Sequence, residues 1–167
     1  SVALRVRDLC AFLGVNTVMT RDTEEITYPS EAKTIAAMKK WDTRRRVEIA
    51  ESVDSPVFLS IHQNIYPSSG PHGSQVLYAQ NEPSRALAEL IQSRLTAALL
   101  PENRRVPVPA GKDIYIMSHV QCTAVLVECG FLSHPQELSL LQSADYQKKI
   151  ASVLTACYLQ FTEKGVL

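Results

Sequence analysis

The chain has 167 residues, 46% of them hydrophobic and 20% charged, a length that suits one domain of about 100–200 residues. A chain of this size buries about 70% of its unfolded surface, so a core forms without disulfide or metal staples. Seventeen Lys and Arg meet seventeen Asp and Glu, for a formal net charge of zero. That balance disfavours a nucleic-acid partner, which needs a basic excess, and equally a polyanionic or membrane-headgroup surface.

No apolar run reaches the ~18–20 residues of a membrane span. The opening SVALRVRDLC lacks the charged-then-apolar order of a signal peptide, which describes this stretch alone. The four cysteines, Cys10, Cys122, Cys129 and Cys157, show no C-x-x-C spacing. Cys122 and Cys129 flank one short strand and are expected too far apart to bridge. All four are expected as core or half-buried thiols.

In chain order, Val2 to Leu13 reads as a helix stopped by Gly14. Val15 to Met19 reads as a short strand leading into Thr20-Arg21-Asp22, and Glu24 to Ser30, with Pro29, as a loop. Glu31 to Ser52 is helix-like in two pieces, with a break expected near Trp41-Asp42. Pro56 to Ile61 (PVFLSI) is a nearly continuous apolar run, as a buried parallel strand requires. After a Pro-, Ser- and Gly-rich loop from His62 to Gly73 comes a strand over Gln75 to Ala79. Ser84 to Leu99 is the clearest helix, because Leu87, Leu90, Ile91, Leu95, Ala98 and Leu99 recur at helical spacing.

Leu100 to Asp113 holds Pro101, Pro107, Pro109 and Gly111 and reads as irregular. Ile114 to Met117 and Ala124 to Val127 read as two more strands. Pro135 opens a short helix and Ala144 to Phe161 forms a long one, with Gly165 past its end. Alternating strands and helices predict a single α/β layered domain, a mainly parallel twisted sheet with helices on both faces.

In open α/β sheets functional groups gather at the carboxyl ends of strands. Two strands here end in strongly polar residues: PVFLSI runs into His62-Gln63-Asn64, and TAVLV into Glu128-Cys129-Gly130. A strand delivering a His and another delivering a Glu can bring both to one rim. A carboxylate there is costly to bury unless paired, metal-bound or catalytic. The residue types alone also admit a plainer arrangement, with His62 capping a loop and Glu128 accepting a backbone N–H.

The run FLSIHQN (Phe58–Asn64), followed by AVLVECGFLSHPQE (Ala124–Glu137), resembles the zinc-dependent N-acetylmuramoyl-L-alanine amidases. Thr20-Arg21-Asp22, the Arg46–Ala50 helix and the tail DYQKKIASVLTACYLQFTEKG fall where that family has counterparts, so the resemblance covers essentially the whole chain. LRVRDL, TRD and FTEKG are closest to the branch acting on the bacterial spore cortex. The resemblance implies a peptidoglycan glycan-peptide substrate, cut at the amide between N-acetylmuramic acid and L-alanine. It also implies extracytoplasmic action (cell wall, periplasm or forespore intermembrane space), with room for a regulatory protein partner. No signal or anchor lies in this segment.

By the same resemblance His62 is a zinc ligand and Glu128 is the catalytic carboxylate; Asn64, beside them, is expected either to bind substrate or to orient the loop. Neutral imidazole is a standard zinc donor. Zinc lowers the pKa of its water to ~7 and polarises a carbonyl, and a carboxylate then moves the proton from water to the leaving amine.

The sequence departs from the family pattern in one respect. The family binds Zn2+ with two His and one Glu, the first His in a Gly-His-Gly-Gly run. That run is not found, and His72-Gly73 stands in the wrong loop. The segment 1–167 is therefore expected to be an amidase catalytic domain lacking its first strand and the start of its first helix. Zinc is expected to be weak or absent in this chain. The alternative is a degenerate, non-catalytic amidase-like domain that binds peptidoglycan or a partner protein. A Cys129–His62 hydrolase is disfavoured because strand alternation turns Cys129 away from Glu128. His119 and His134 are expected in loops at the same rim, as surface or supporting residues. Arg44-Arg45-Arg46 and Arg104-Arg105 are expected to be mainly solvated, with a stem-peptide carboxylate as the less favoured partner for one of them.

Overall fold

The computed structural model describes residues 1–23 and 25–163; Glu24, in the expected 24–30 loop, and Gly165, beyond the last helix, lie outside them. Four strands form one sheet in the order β1-β4-β2-β3: β1 is Val57–Asn64, β2 Gln75–Tyr78, β3 Val108–Pro109 and β4 Thr123–Phe131. β4 pairs with β1 in parallel and with β2 antiparallel, and β2 pairs with β3 in parallel. The sheet is thus mixed, with two parallel pairings and one antiparallel.

Alternation along β4 sorts the two layers. Val125, Val127 and Cys129 pack with α1 (Val2–Phe12), α3 (Glu82–Leu99) and α6 (Ala144–Glu163), around Val6, Ile91, Leu95, Ile150 and Leu154. Ala124 and Leu126 pack on the other face with Val47 and Ala50 of α2 (Ile35–Glu51) and Met117 of α4 (Tyr115–His119). Each large aliphatic side chain buried this way contributes about 1.5–3 kcal/mol. Polar groups fix where β4 starts and how β2 sits. Ser84 Oγ accepts from Ala124 N at 2.8 Å, and Gln92 accepts from Val76 N at 2.9 Å while donating to Ser74 O at 3.1 Å.

Three expected elements differ. Residues 15–19 form no strand: Val15 N closes the end of α1 on Cys10 O at 2.8 Å, and Val18 is 61% exposed. Apolar alternation makes a strand only where a neighbour supplies the ladder. α2 is continuous, because the Asp42–Arg46 ion pair at 2.9 Å spans the expected break and Thr34 Oγ1 caps the helix by accepting from Ala37 N. Tyr115–His119 is a short helix rather than a strand. The turn Ile114 N→Gly111 O at 3.0 Å winds the chain into it, and Met117 is buried from it. A four-residue apolar run does not by itself tell the two apart.

Candidate active site

β1 and β4 run side by side from Val57↔Thr123 to His62↔Glu128, so the His and the Glu are direct register partners at the carboxyl ends of parallel strands. Both occupy the face that carries Phe58, Ala124 and Leu126, the face covered by α2. A register shift between His62 and Asn64 ends the regular pairing immediately beyond the pair. On the other side of Glu128, Gln75 of β2 is its antiparallel partner. The row across this face therefore reads His62, Glu128, Gln75.

The environment favours the uncharged form of both ionisable groups. Burial lowers the His62 pKa below its usual value, and the positive charges of Arg46 and Arg21 add to this. A neutral imidazole results, 2.9 Å from Ser60 Oγ through Nε2. Burial alone raises the Glu128 pKa, and its Oε2 is shut away from solvent with no hydrogen-bond partner among the described residues. Leaving a carboxylate oxygen dry and unpaired costs on the order of 1–3 kcal/mol or more, a cost typical of a proton-transfer site rather than of a structural acceptor.

His62 could supply one imidazole to a metal centre. Among the described residues no group of three or more His, Cys, Asp or Glu comes together, whereas a catalytic zinc takes three protein ligands. The donors present make one corner of such a centre and not the whole.

The N-acetylmuramoyl-L-alanine amidase family profile (Amidase_3) matches residues 1–157. The chain belongs to this amidase family. It is 36% identical over 169 residues to the germination-specific N-acetylmuramoyl-L-alanine amidase of Bacillus subtilis, covering 98% of this chain and 69% of that protein. It is 35% identical over 117 residues to the amidase LytC of the same organism, covering 68% of this chain and 23% of that protein. The CwlD amidase from Clostridioides difficile, solved in complex with the GerS lipoprotein, superposes with a TM-score of 0.91 at 29% identity, covering 98% of this chain and 83% of that one. The enzyme class is thus N-acetylmuramoyl-L-alanine amidase, on a single α/β domain.

Among the other candidate residues, Asn64, Cys129 and His134 stand within expectation, while His119, Arg46 and Arg105 do not. Asn64 is engaged locally: its Oδ1 accepts from Ile65 N and its carbonyl from Leu132 N, each at 2.8 Å, which is the loop-orienting arrangement. Cys129 is 1% exposed on the opposite face, its thiol pushed up to about 12 by burial and by Glu128. A protonated, buried thiol is no nucleophile. His134 stands at the Glu128 rim, where it caps α5 (Pro135–Gln142) by accepting from Glu137 N at 3.4 Å. His119 does not: it ends α4, ahead of the first residue of β4, stacked on Tyr115 at 3.7 Å. It therefore belongs to the opposite rim. Arg46 is largely buried in its pair with Asp42, and Arg105 lies half-buried over the Phe131 ring at 4.7 Å, so neither is simply solvated.

Sequence reasoning assigned no role to Glu137. Its buried carboxylate accepts from Phe131 N at 2.8 Å and Gly73 N at 2.9 Å, tying the end of β4 to the loop that enters β2. The signal was the His134-x-x-Glu137 spacing at a helix start, which resembles a capping box, although here the carboxylate reaches across the site instead of back to its own cap.

Proposed function

We propose that the chain is a zinc-dependent amidase catalytic domain that hydrolyses the amide between N-acetylmuramic acid and L-alanine in peptidoglycan. The observation that carries this reading is Glu128: a half-buried carboxyl group with a raised pKa, whose enclosed Oε2 has no partner among the described residues, beside a neutral imidazole at two strand ends. A carboxyl group whose affinity for a proton is raised by burial takes a proton from an attacking water and hands it to the departing amine. The amide carbonyl carbon gains the water oxygen, the C–N bond breaks, and the amine leaves with the proton carried by Glu128. His62 is one zinc ligand in this reading, and Asn64 positions the loop bordering the substrate. The remaining ligands are not among the described residues, so this chain by itself holds zinc weakly.

The germination-specific relative and the CwlD amidase favour spore-cortex peptidoglycan as substrate, and extracytoplasmic action with it. No helix among the described residues is long and apolar enough to cross a membrane. Because CwlD was solved with a lipoprotein, a regulatory protein partner is part of the proposal.

One observation favours a second reading. The absence of a three-donor cluster among the described residues suits a non-cutting domain that binds peptidoglycan or a partner protein. Muropeptide release by the full-length protein, with and without chelator and in Glu128→Ala, separates the two. Release abolished by both treatments supports the zinc amidase. Peptidoglycan binding without release supports the second reading, and release that survives both treatments removes the zinc mechanism.

A further inference from the structure

Among the described residues Arg105 is fixed in place without an anionic partner. Its Nε donates to His72 O and its Nη1 to Gln75 Oε1, both at 2.8 Å. Its guanidinium lies 4.7 Å over the ring of buried Phe131, and its backbone N–H donates to Asn103 Oδ1 at 3.0 Å. Two neutral oxygens and an aromatic face orient the plane, yet among the described residues no carboxylate pairs with it and no hydrogen bond uses Nη2. By contrast Arg7, Arg45, Arg46 and Arg85 all sit in ion pairs. A half-buried guanidinium held rigid and unpaired has already lost the rotamer freedom that an anion would otherwise have to remove.

Position says which anion. Gln75 is both the hydrogen-bond partner of Arg105 and the strand partner of Glu128. Residue 105 comes just ahead of β3, whose Val108 pairs with Leu77 of β2. Arg105 therefore lies about two strand spacings, or ~10 Å, from Glu128 along the row. That is the reach of about three extended residues. A peptide whose scissile amide meets Glu128 would bring a carboxylate two or three residues further on to Arg105.

We propose that Arg105 is a specificity-determining residue that binds a free carboxylate of the stem peptide, through the guanidinium edge carrying Nη2. Gln75 and His72 O serve as the brace that aims it. This rests on the peptidoglycan-amidase reading and adds to it a preference for stem peptides with a free acid over those carrying a carboxamide at the same place. Guanidinium and carboxylate match as planar, charge-assisted partners, and a carboxamide keeps the shape while losing the charge.

The test is titration calorimetry of the full-length protein with two synthetic stem tripeptides, L-Ala first, a γ-linked D-glutamyl residue second and the third residue amidated at its C-terminus in both, differing only in a free α-carboxylate or its carboxamide on the D-glutamyl residue. The wild type is expected to bind the acid at least about tenfold more tightly than the amide. Arg105→Gln should abolish that difference and leave the affinity for the amide unchanged, and Arg105→Lys should keep part of the difference. Equal binding of acid and amide by the wild type overturns the role of Arg105 and leaves the amidase reading standing. So does an Arg105→Gln loss that is the same for both peptides, which marks a merely structural residue. Binding of neither peptide overturns the proposal and the peptidoglycan reading together. Should Arg105→Gln fail to fold, the wild-type pair and Arg105→Lys still decide.

Discussion

His62 and Glu128 are register partners on neighbouring parallel strands, and burial moves both toward their uncharged forms. Imidazole and carboxyl groups side by side ordinarily form an ion pair, each holding the other charged. Here burial, and after it the nearby cations Arg46 and Arg21, favour the neutral imidazole, while among the described residues nothing donates to Glu128 Oε2. The result is a metal-competent nitrogen beside a carboxyl able to hold a proton, the division of labour that metal-assisted amide hydrolysis requires.

Glu137 ties two backbone segments, so its removal should act first on stability. Glu137→Ala leaves Gly73 N and Phe131 N without acceptors at a buried position. A loss of about 2–4 kcal/mol is expected, or a Tm drop on the order of 10 °C for a domain of this size. Glu137→Gln, which keeps an acceptor, should lose less. Thermal unfolding followed by circular dichroism measures both, and an unchanged Tm for the alanine variant contradicts the assigned role.

Gly73 has φ +88°, and a Cβ there would lie 2.6 Å from Asn103 Oδ1. Gly73→Ala therefore adds backbone strain of about 1–3 kcal/mol to a clash with a side chain already holding Ser74 O and Arg105 N. Denaturant unfolding should show a midpoint shift in that range; wild-type stability in the alanine variant would show that the loop relaxes freely.

The thiols set an alkaline limit. Burial pushes Cys129 up to about 12 and Cys157 up to about 11, and raises Tyr146 to about 12, while an unfolded thiol ionises near ~8.5. The folded state holds these protons more tightly, so the stabilisation is full below ~8.5 and lost as pH rises toward about 11 to 12. Tm should fall steadily above that lower limit. In native protein at pH 8, Cys129 and Cys157 should resist thiol alkylation, and Cys122, half-buried, should react first. Rapid labelling of Cys129 would contradict its placement.

Metal content is the next expectation. Elemental analysis of this 167-residue chain alone should find well under one zinc per molecule, because a single imidazole does not hold the ion. His62→Ala should remove what remains. Stoichiometric zinc would show that donors outside the expected set complete the site.

Sequence made the site's backbone legible because β4 is buried on both faces and β1 is partly buried from Val57 to Ile61, so both read as apolar runs that end in His62 and Glu128. The same alternation placed Cys129 on the far face. What sequence did not show was lateral arrangement. The antiparallel β2 that puts Gln75 beside Glu128, the Arg105 brace and the Glu137 tie all join residues from distant parts of the chain. Short apolar runs misled in both directions: residues 15–19 lack a ladder partner, and the Ile114–Met117 run enters a helix after its turn. Arg105 was expected on a solvated face, since nothing local in Arg104-Arg105 signals that Phe131 lies under one of the two guanidiniums.

The most direct measurement is muropeptide release by full-length wild-type protein and Glu128→Gln, assayed with thermal unfolding of each. The isosteric amide cannot carry the proton yet fills the same space, and it removes a carboxylate oxygen that has no partner. A proton-carrying Glu128 predicts a rate lower by about 10²–10⁴-fold in the variant with a Tm equal to or above wild type. Release within a few-fold of wild type by a folded Glu128→Gln would contradict it.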